Sequence, residues 1–140
     1  MMKKILLLFC LVFGLSFVPT AQAAMISEKQ EIEMGERAGK ALEAQYGLYQ
    51  DDEVASRIDR IGKALAAHST RQIPYTFKVL NTQDVNALAC PGGFIYVYKG
   101  LVDTMTSDDE LAAVLGHEIG HIEKRHTVHQ IEKQMALSLL

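Results

Sequence analysis

The spacing of apolar residues changes from helical to alternating and back again along the chain. Two stretches, 28–46 and 51–68, place apolar residues three and four positions apart, which predicts two amphipathic helices. Ser27, followed by Gln30 three residues later, is typical of a capping box, and Gly47 follows the end of the first stretch. We therefore predict two leading helices before any strand.

Between residues 75 and 98 the pattern is typical of strands. Residues 75–80 alternate, residues 86–89 form a short extended run, and residues 94–98 are β-branched and aromatic throughout. Pro, Gly and Gly at 91–93 turn the chain between the last two runs. We predict a small sheet of three strands that contains a hairpin.

Helical spacing returns after a short helical turn at 101–105. Ser107, with Glu110 three residues later, indicates a second capping box. An apolar stripe then continues from Leu111 to Leu139, which predicts one long helix. The stripe has no Gly, Pro or basic cap at its end, so we expect the natural protein to continue beyond residue 140. The predicted class is α+β.

The first residues have the pattern of a secretory signal peptide. Two lysines precede an apolar run at 5–18, Pro19 ends the run, and Ala-Gln-Ala at 21–23 is a small-residue cleavage site. The run is short for a membrane span, although an uncleaved anchor is the alternative. We expect residues 1–23 to be removed near Ala23 and the remaining 24–140 to be periplasmic or secreted.

Charge and cysteine content narrow the functional classes further. The formal net charge is −3, and it becomes −5 once the two lysines of the signal peptide are removed. There is no basic excess of the kind that binds nucleic acid, so we expect no nucleic-acid partner. Cys90 would be the only cysteine after cleavage, which rules out an internal disulfide, and we interpret it as a small half-buried residue.

The chemistry-bearing motif is H-E-x-x-H, formed by His117, Glu118 and His121. Side chains four apart on a helix lie on one face, so both imidazoles can reach one zinc ion. Zinc lowers the pKa of a bound water toward about 7, and a neighbouring glutamate can then take its proton. The motif predicts a zinc peptidase in which Glu118 is the general base.

A catalytic zinc usually has three protein ligands, and the third is not evident here. On one continuous helix, His126 falls on the face opposite His117, and His129 lies away from His121. We interpret His126 and His129 as solvated or outer-shell residues and expect the third ligand beyond Leu140. The 140-residue chain by itself would then bind zinc weakly.

Glycines occupy two interior positions of the same predicted helix, Gly116 and Gly120. Glycine costs a helix interior about 1 kcal/mol relative to alanine. We expect close packing around the motif to compensate for this cost.

A longer block of sequence surrounds the motif: Asn-Ala-Leu-Ala-Cys-Pro-Gly-Gly-Phe-Ile-Tyr-Val at 86–97, Gly-Leu at 100–101, Asp-Glu-Leu-Ala-Ala-Val-Leu-Gly-His-Glu-Ile-Gly-His at 109–121 and Arg-His at 125–126. This block resembles the HtpX/BepA-type zinc metalloendopeptidases, peptidase family forty-eight, and the match covers about 31–130. The resemblance implies a zincin-like fold and a gluzincin site. The chain from residue 24 onward would be the N-terminal part of the catalytic domain.

The resemblance also implies roles for individual residues. His117 and His121 would bind Zn²⁺, and Glu118 would act as general base. Asn86 and Ala87 would lie on the strand that lines the cleft and hold a substrate backbone by β-addition. The third ligand, a glutamate on a later helix, and an oxyanion-stabilising side chain would both lie past residue 140.

The function that we expect is zinc-dependent endoproteolysis in the cell envelope. Extended polypeptides would be the substrates, protein quality control the purpose, and membrane-associated proteins possible partners. The first alternative is a non-enzymatic chaperone-like or assembly factor that holds extended segments on the sheet edge. The second is an inactive truncated peptidase fragment. An intact Glu118 favours the enzyme, because a binding module needs no general base.

Overall fold

The computed structural model describes residues 25–140, so the predicted signal peptide and its cleavage site lie outside the described residues. A 3-10 turn at Pro91–Gly93 links the second and third strands. In chain order the elements are α1 (Glu28–Tyr46), α2 (Asp52–Ala66), β1 (Thr76–Leu80), β2 (Ala87–Cys90), β3 (Phe94–Tyr98), α3 (Lys99–Thr104), α4 (Asp108–Glu123) and α5 (His126–Ser138). The predicted α+β class, the two leading helices and the three strands are confirmed.

The two leading helices begin at side-chain caps that satisfy free backbone N–H groups. The Ser27 Oγ accepts from the Gln30 N–H at 3.3 Å, and the Gln30 Oε1 accepts from the Ser27 N–H at 2.9 Å. The predicted capping box is therefore confirmed. Asp51 caps α2 in a simpler way, because its carboxylate accepts from the N–H groups of Glu53 and Val54.

The sheet has the order β1-β3-β2, with β3 in the centre. β1 pairs with β3 in parallel, whereas β2 and β3 form the predicted antiparallel hairpin. Gly92 and Gly93, at the hairpin turn, have φ angles of 74° and 102°, which favour glycine. One edge of β2 consequently remains unpaired within the sheet.

Both faces of the sheet are covered by helices. Ile95 and Val97 of β3 are fully buried in the larger core, with apolar residues of α2 and α4. Tyr96 and Tyr98 point to the opposite face, where Ala38, Leu42 and Tyr46 of α1 pack against them. The sheet is therefore the middle layer, and α4 is held on one side of it by apolar contact.

The prediction of one long C-terminal helix is wrong. α4 ends at Glu123, and α5 begins at His126 after a break at residues 124–125. Arg125 has φ 50° and ψ 36°, a left-handed conformation that no other non-glycine residue adopts among residues 25–140. The apolar spacing continues through the break because both helices are amphipathic, so the periodicity alone gave no sign of it.

A buried carboxylate lies where the helix breaks. Glu31 of α1 is 1 % exposed and accepts hydrogen bonds from Arg71 (2.7 and 3.1 Å), from Arg125 Nε (2.8 Å) and from the Gly92 N–H (3.2 Å). Arg71 also donates to the carbonyl of Ile122, in the last turn of α4, at 3.0 Å. One carboxylate thus joins α1, the hairpin turn and the end of α4.

None of the helices within residues 25–140 is both long enough and apolar enough to cross a membrane.

The ionisation of Glu31 should make stability depend on pH. Burial raises the pKa of Glu31, but the hydrogen bonds from Arg71, Arg125 and Gly92 outweigh that effect and hold the pKa below its ordinary value. A lowered folded-state pKa contributes stability that is present above the unfolded pKa of about 4.3 and is lost as the pH falls through the folded pKa.

Glu31→Gln should therefore lower the free energy of unfolding at pH 7 by up to about 3–5 kcal/mol, because it leaves Arg125 without its carboxylate and Arg71 with only the exposed Glu28. The deficit relative to the unaltered protein should shrink in acid, at a pH below the lowered folded-state pKa of Glu31, where the native carboxyl also becomes neutral. Urea unfolding at both pH values measures the two differences. Glu36→Gln, which removes an exposed carboxylate from the same helix, should have little effect at either pH. Equal deficits for Glu31→Gln at both pH values would contradict the role of the charge.

Candidate active site

The motif helix α4 is fixed at its N-terminus by caps and ion pairs. The Ser107 Oγ accepts from the Glu110 N–H at 3.2 Å, which is the N-cap half of the predicted capping box. The Glu110 carboxylate accepts from the Thr106 N–H and not from that of Ser107, so the reciprocal half is absent. Asp108 accepts from Arg57 Nε at 2.7 Å and from Arg60 Nη2 at 3.0 Å, both on α2. These contacts place the start of α4 against α2.

The apolar face of α4 turns inward, and the histidines face outward over β2. Buried residues of α4 lie at helical spacing in the core: Leu111, Leu115, Ile119 and Ile122. The intervening positions carry His117, which is exposed, and His121, which is half-buried. The amphipathic pattern of α4 therefore decides which side of the helix presents the motif.

The two imidazole rings approach each other through their Nε2 atoms. The Nε2 atoms of His117 and His121 are 3.0 Å apart, and the ring planes are inclined by 80°. Two ligands of a tetrahedral zinc at about 2.05 Å would be about 3.3 Å apart. The pair therefore fits a zinc ion held through both Nε2 atoms, after an adjustment of a few tenths of an ångström.

Glu118 lines two neighbouring hollows. It is 8 % exposed and lines the cleft that contains both histidines. It also borders a neighbouring hollow whose walls include the apolar side chains of Val85, Leu101 and Val114. A carboxylate in this place can reach a group bound beside the imidazoles while most of its own surface is shielded from water.

The free edge of β2 forms the wall opposite the helix. The N–H of Tyr98 donates to the carbonyl of Asn86 at 2.9 Å. Hydrogen-bonded positions alternate in an antiparallel pair, so Ala87 and Ala89 turn their backbone groups away from β3 and toward the cleft. The Ala87 N–H donates to the side-chain Oδ1 of Asn86 at 2.9 Å. Asn86 and Ala87 both line the cleft, Asn86 directly before β2 and Ala87 at its first position.

The cleft has a volume of about 500 Å³, within the range of typical ligand sites. It is open to solvent and not an enclosed cavity. Its lining combines the strand, the motif helix and the start of the last helix: Asn86, Ala87, Leu88, Ala89, His117, Glu118, His121, His126, Thr127 and Gln130.

The predicted position of His126 is wrong. Because the chain turns at Arg125, His126 does not lie on the face opposite His117 but beside His121, with the two Nδ1 atoms 2.8 Å apart. It contacts the nitrogen of His121 that points away from His117, so it does not join the pair as a third ligand. The alternative of an outer-shell position for His126 fits this geometry.

The other candidate ligands lie elsewhere. His129 is exposed and contacts Glu132 at 3.3 Å, and Glu123 accepts from the Thr70 N–H at 2.8 Å. Across residues 25–140, no group of three or more His, Cys, Asp and Glu side chains could hold a metal ion. The described chain thus supplies a pair of ligands.

Two smaller predictions about this region have different outcomes. An added Cβ at Gly116 or Gly120 would meet nothing within 4 Å, so the expected crowding is wrong, and the described residues give no packing reason for either glycine. Cys90 is buried, more deeply than expected, and burial raises the pKa of its thiol to about 11. The thiol therefore stays protonated at neutral pH, in keeping with a packing role.

Comparison with known proteins shows the family of the chain. The model of peptidase family M48 matches residues 49–140, from the start of the second helix through the whole cleft. The chain belongs to peptidase family M48. The resemblance drawn from the block at 86–126 is thereby confirmed.

Several relatives carry protease names. The chain is 31 % identical to the Beta-barrel assembly-enhancing protease of Yersinia pestis, over 88 % of this chain and 26 % of the relative. It is 35 % identical to Metalloprotease LoiP of Escherichia coli, over 84 % of this chain and 45 % of the relative. It is 40 % identical to Mitochondrial metalloendopeptidase OMA1 of Arabidopsis thaliana, over 56 % of this chain and 16 % of the relative. The chain thus spans about a quarter to a half of the first two relatives.

Proposed function

We propose that this protein is a zinc-dependent endopeptidase. The observation that carries the proposal is the convergence of the two Nε2 atoms of His117 and His121 beside the buried Glu118 and the free edge of β2. Membership in family M48 and the metalloprotease names of the relatives support it. His117 and His121 would hold the zinc, and a third ligand, a glutamate according to the resemblance, would come from outside residues 25–140.

Zinc bound there would supply Lewis-acid activation of a water molecule and of the peptide carbonyl. Glu118 would accept the proton of the attacking water and pass it to the leaving amine, the two transfers that amide hydrolysis requires. Its position in the cleft wall, largely shielded from solvent, suits both transfers.

The substrate class that we propose is an extended polypeptide. Ala87 and Ala89 of the β2 edge would exchange backbone hydrogen bonds with it, as in β-strand addition. The Ala87 N–H would exchange its bond to the Asn86 side chain for one to the substrate. The adjacent hollow lined by Val85, Leu101 and Val114 would take an apolar substrate side chain.

We further propose that the protein works in the cell envelope, in protein quality control, where membrane-associated proteins would be among its partners. The predicted signal peptide supports this location. The name of the relative from Yersinia pestis refers to β-barrel assembly, which agrees with an envelope role.

Glu118→Gln should abolish most peptidase activity while zinc stays bound. The change removes the proton acceptor, leaves both imidazoles and should lower the rate by about 10²–10⁴-fold. Cleavage of casein by the zinc-loaded, active form of the protein measures the loss, and metal analysis confirms the zinc content. Asp109→Asn, which removes an exposed carboxylate in the first turn of the same helix, is the matched control and should keep the parental rate.

Casein cleavage by Glu118→Gln at the parental rate would show that Glu118 is not the base. If the unaltered protein binds extended peptides and does not cleave them, the chaperone-like alternative is favoured.

The exported protein should begin at Ala24. Expression of the complete gene in a Gram-negative host, followed by N-terminal sequencing of the product in the periplasm or the medium, tests this. A membrane-embedded product that retains Met1 would indicate an uncleaved anchor instead.

A further inference from the structure

The break between α4 and α5 brings a third histidine against the ligand pair. His126 Nδ1 lies 2.8 Å from His121 Nδ1, and the two ring centroids are 4.9 Å apart with the planes inclined by 73°. His121 in turn uses its other nitrogen toward His117. The three imidazoles thus form a row in which His121 is the middle member.

Zinc binding would fix which of His121 and His126 donates the hydrogen bond between them. A metal on His121 Nε2 needs the lone pair of that nitrogen, so the ring proton must reside on Nδ1. Nδ1–H then donates, and His126 Nδ1, 2.8 Å away, is the acceptor. Histidines that bind zinc commonly donate their second N–H to an acceptor that fixes the tautomer and the ring orientation.

We infer that His126 is a positioning residue for the zinc ligand His121, and that Arg125 and Glu31 hold His126 in place. This inference rests on the proposed function, because it assigns His126 a role toward the zinc that His121 would bind. His126 acts through His121 and does not itself touch zinc.

The neighbouring residues restrain His126 from both sides. The backbone of Arg125 has a left-handed conformation. Its guanidinium donates to Glu31 at 2.8 Å and to the carbonyl of Ile26 at 2.6 Å. Val128, two residues after His126, is 1 % exposed. The ring of His126 is exposed while the backbone on both sides of it is anchored, which is suitable for a residue that must present one nitrogen in a fixed place.

Zinc affinity measured by competition with a chromophoric chelator tests the inference without any need for turnover. His126→Leu should weaken zinc binding by about 10–100-fold, the usual effect of removing such an outer partner. His126→Gln should restore part of the affinity, because its amide oxygen can still accept from Nδ1–H. His129→Leu removes an exposed histidine from the same helix and should leave the affinity unchanged.

Arg125→Gly tests the anchor separately. Glycine adopts the left-handed conformation without strain, so the backbone turn can persist while both guanidinium contacts are lost. Zinc binding should be weaker than in the unaltered protein, as it is expected to be in His126→Leu. Circular dichroism of each variant shows whether the helices remain.

The possible results distinguish a failure of the proposed function from a failure of the role assigned to His126. If the unaltered protein binds no zinc, both the proposed function and this inference are overturned. If it binds zinc and the folded His126→Leu variant binds equally tightly, only this inference fails. A His126→Gln variant as weak as His126→Leu would also overturn it, because the loss would then not depend on a hydrogen-bond acceptor.

Discussion

The pairing of Glu31 with Arg71 and Arg125 is the interaction on which the arrangement of the site depends. A carboxylate that is 1 % exposed is costly to bury unless all its oxygens are hydrogen-bonded, and here four N–H donors satisfy it. Two of the donors belong to the Arg71 guanidinium, one to Arg125 and one to the Gly92 backbone. Because Arg125 is one of them, the same carboxylate joins α1 to the break that follows the motif helix, directly before His126.

The sheet supplies the rest of the framework. Its two faces are occupied by α1 on one side and by α2 and α4 on the other, so β2 can offer only its edge to a ligand. Apolar packing of α4 turns His117 and His121 toward that edge. The cleft therefore results from ordinary amphipathic packing and needs no strained element of its own. Arg125, the one non-glycine residue with a left-handed backbone among residues 25–140, lies just behind it.

Much of this could be predicted from local sequence. Ser27 and Gln30 marked the start of α1 because a capping box depends on residues three apart, and the H-E-x-x-H spacing placed both imidazoles on one face. The break at Arg125 could not be predicted from the apolar spacing, and the contact that Arg125 makes there is with Glu31, 94 positions earlier in the sequence. The mistaken position of His126 followed directly from that missed break. The adjacent Arg and His at 125–126, part of the block that carries the family resemblance, were the available signal.

The central claim is that one zinc ion binds through Nε2 of both His117 and His121, within reach of Glu118 and with His121 oriented by His126. Anomalous diffraction at the zinc absorption edge, from crystals of the zinc-loaded protein, tests it most directly. The account predicts one zinc peak about 2.0–2.1 Å from both Nε2 atoms, with the Nδ1 atoms of His121 and His126 in hydrogen-bond contact. A zinc bound through Nδ1 of either motif histidine, or one held at a different group of residues, would contradict it.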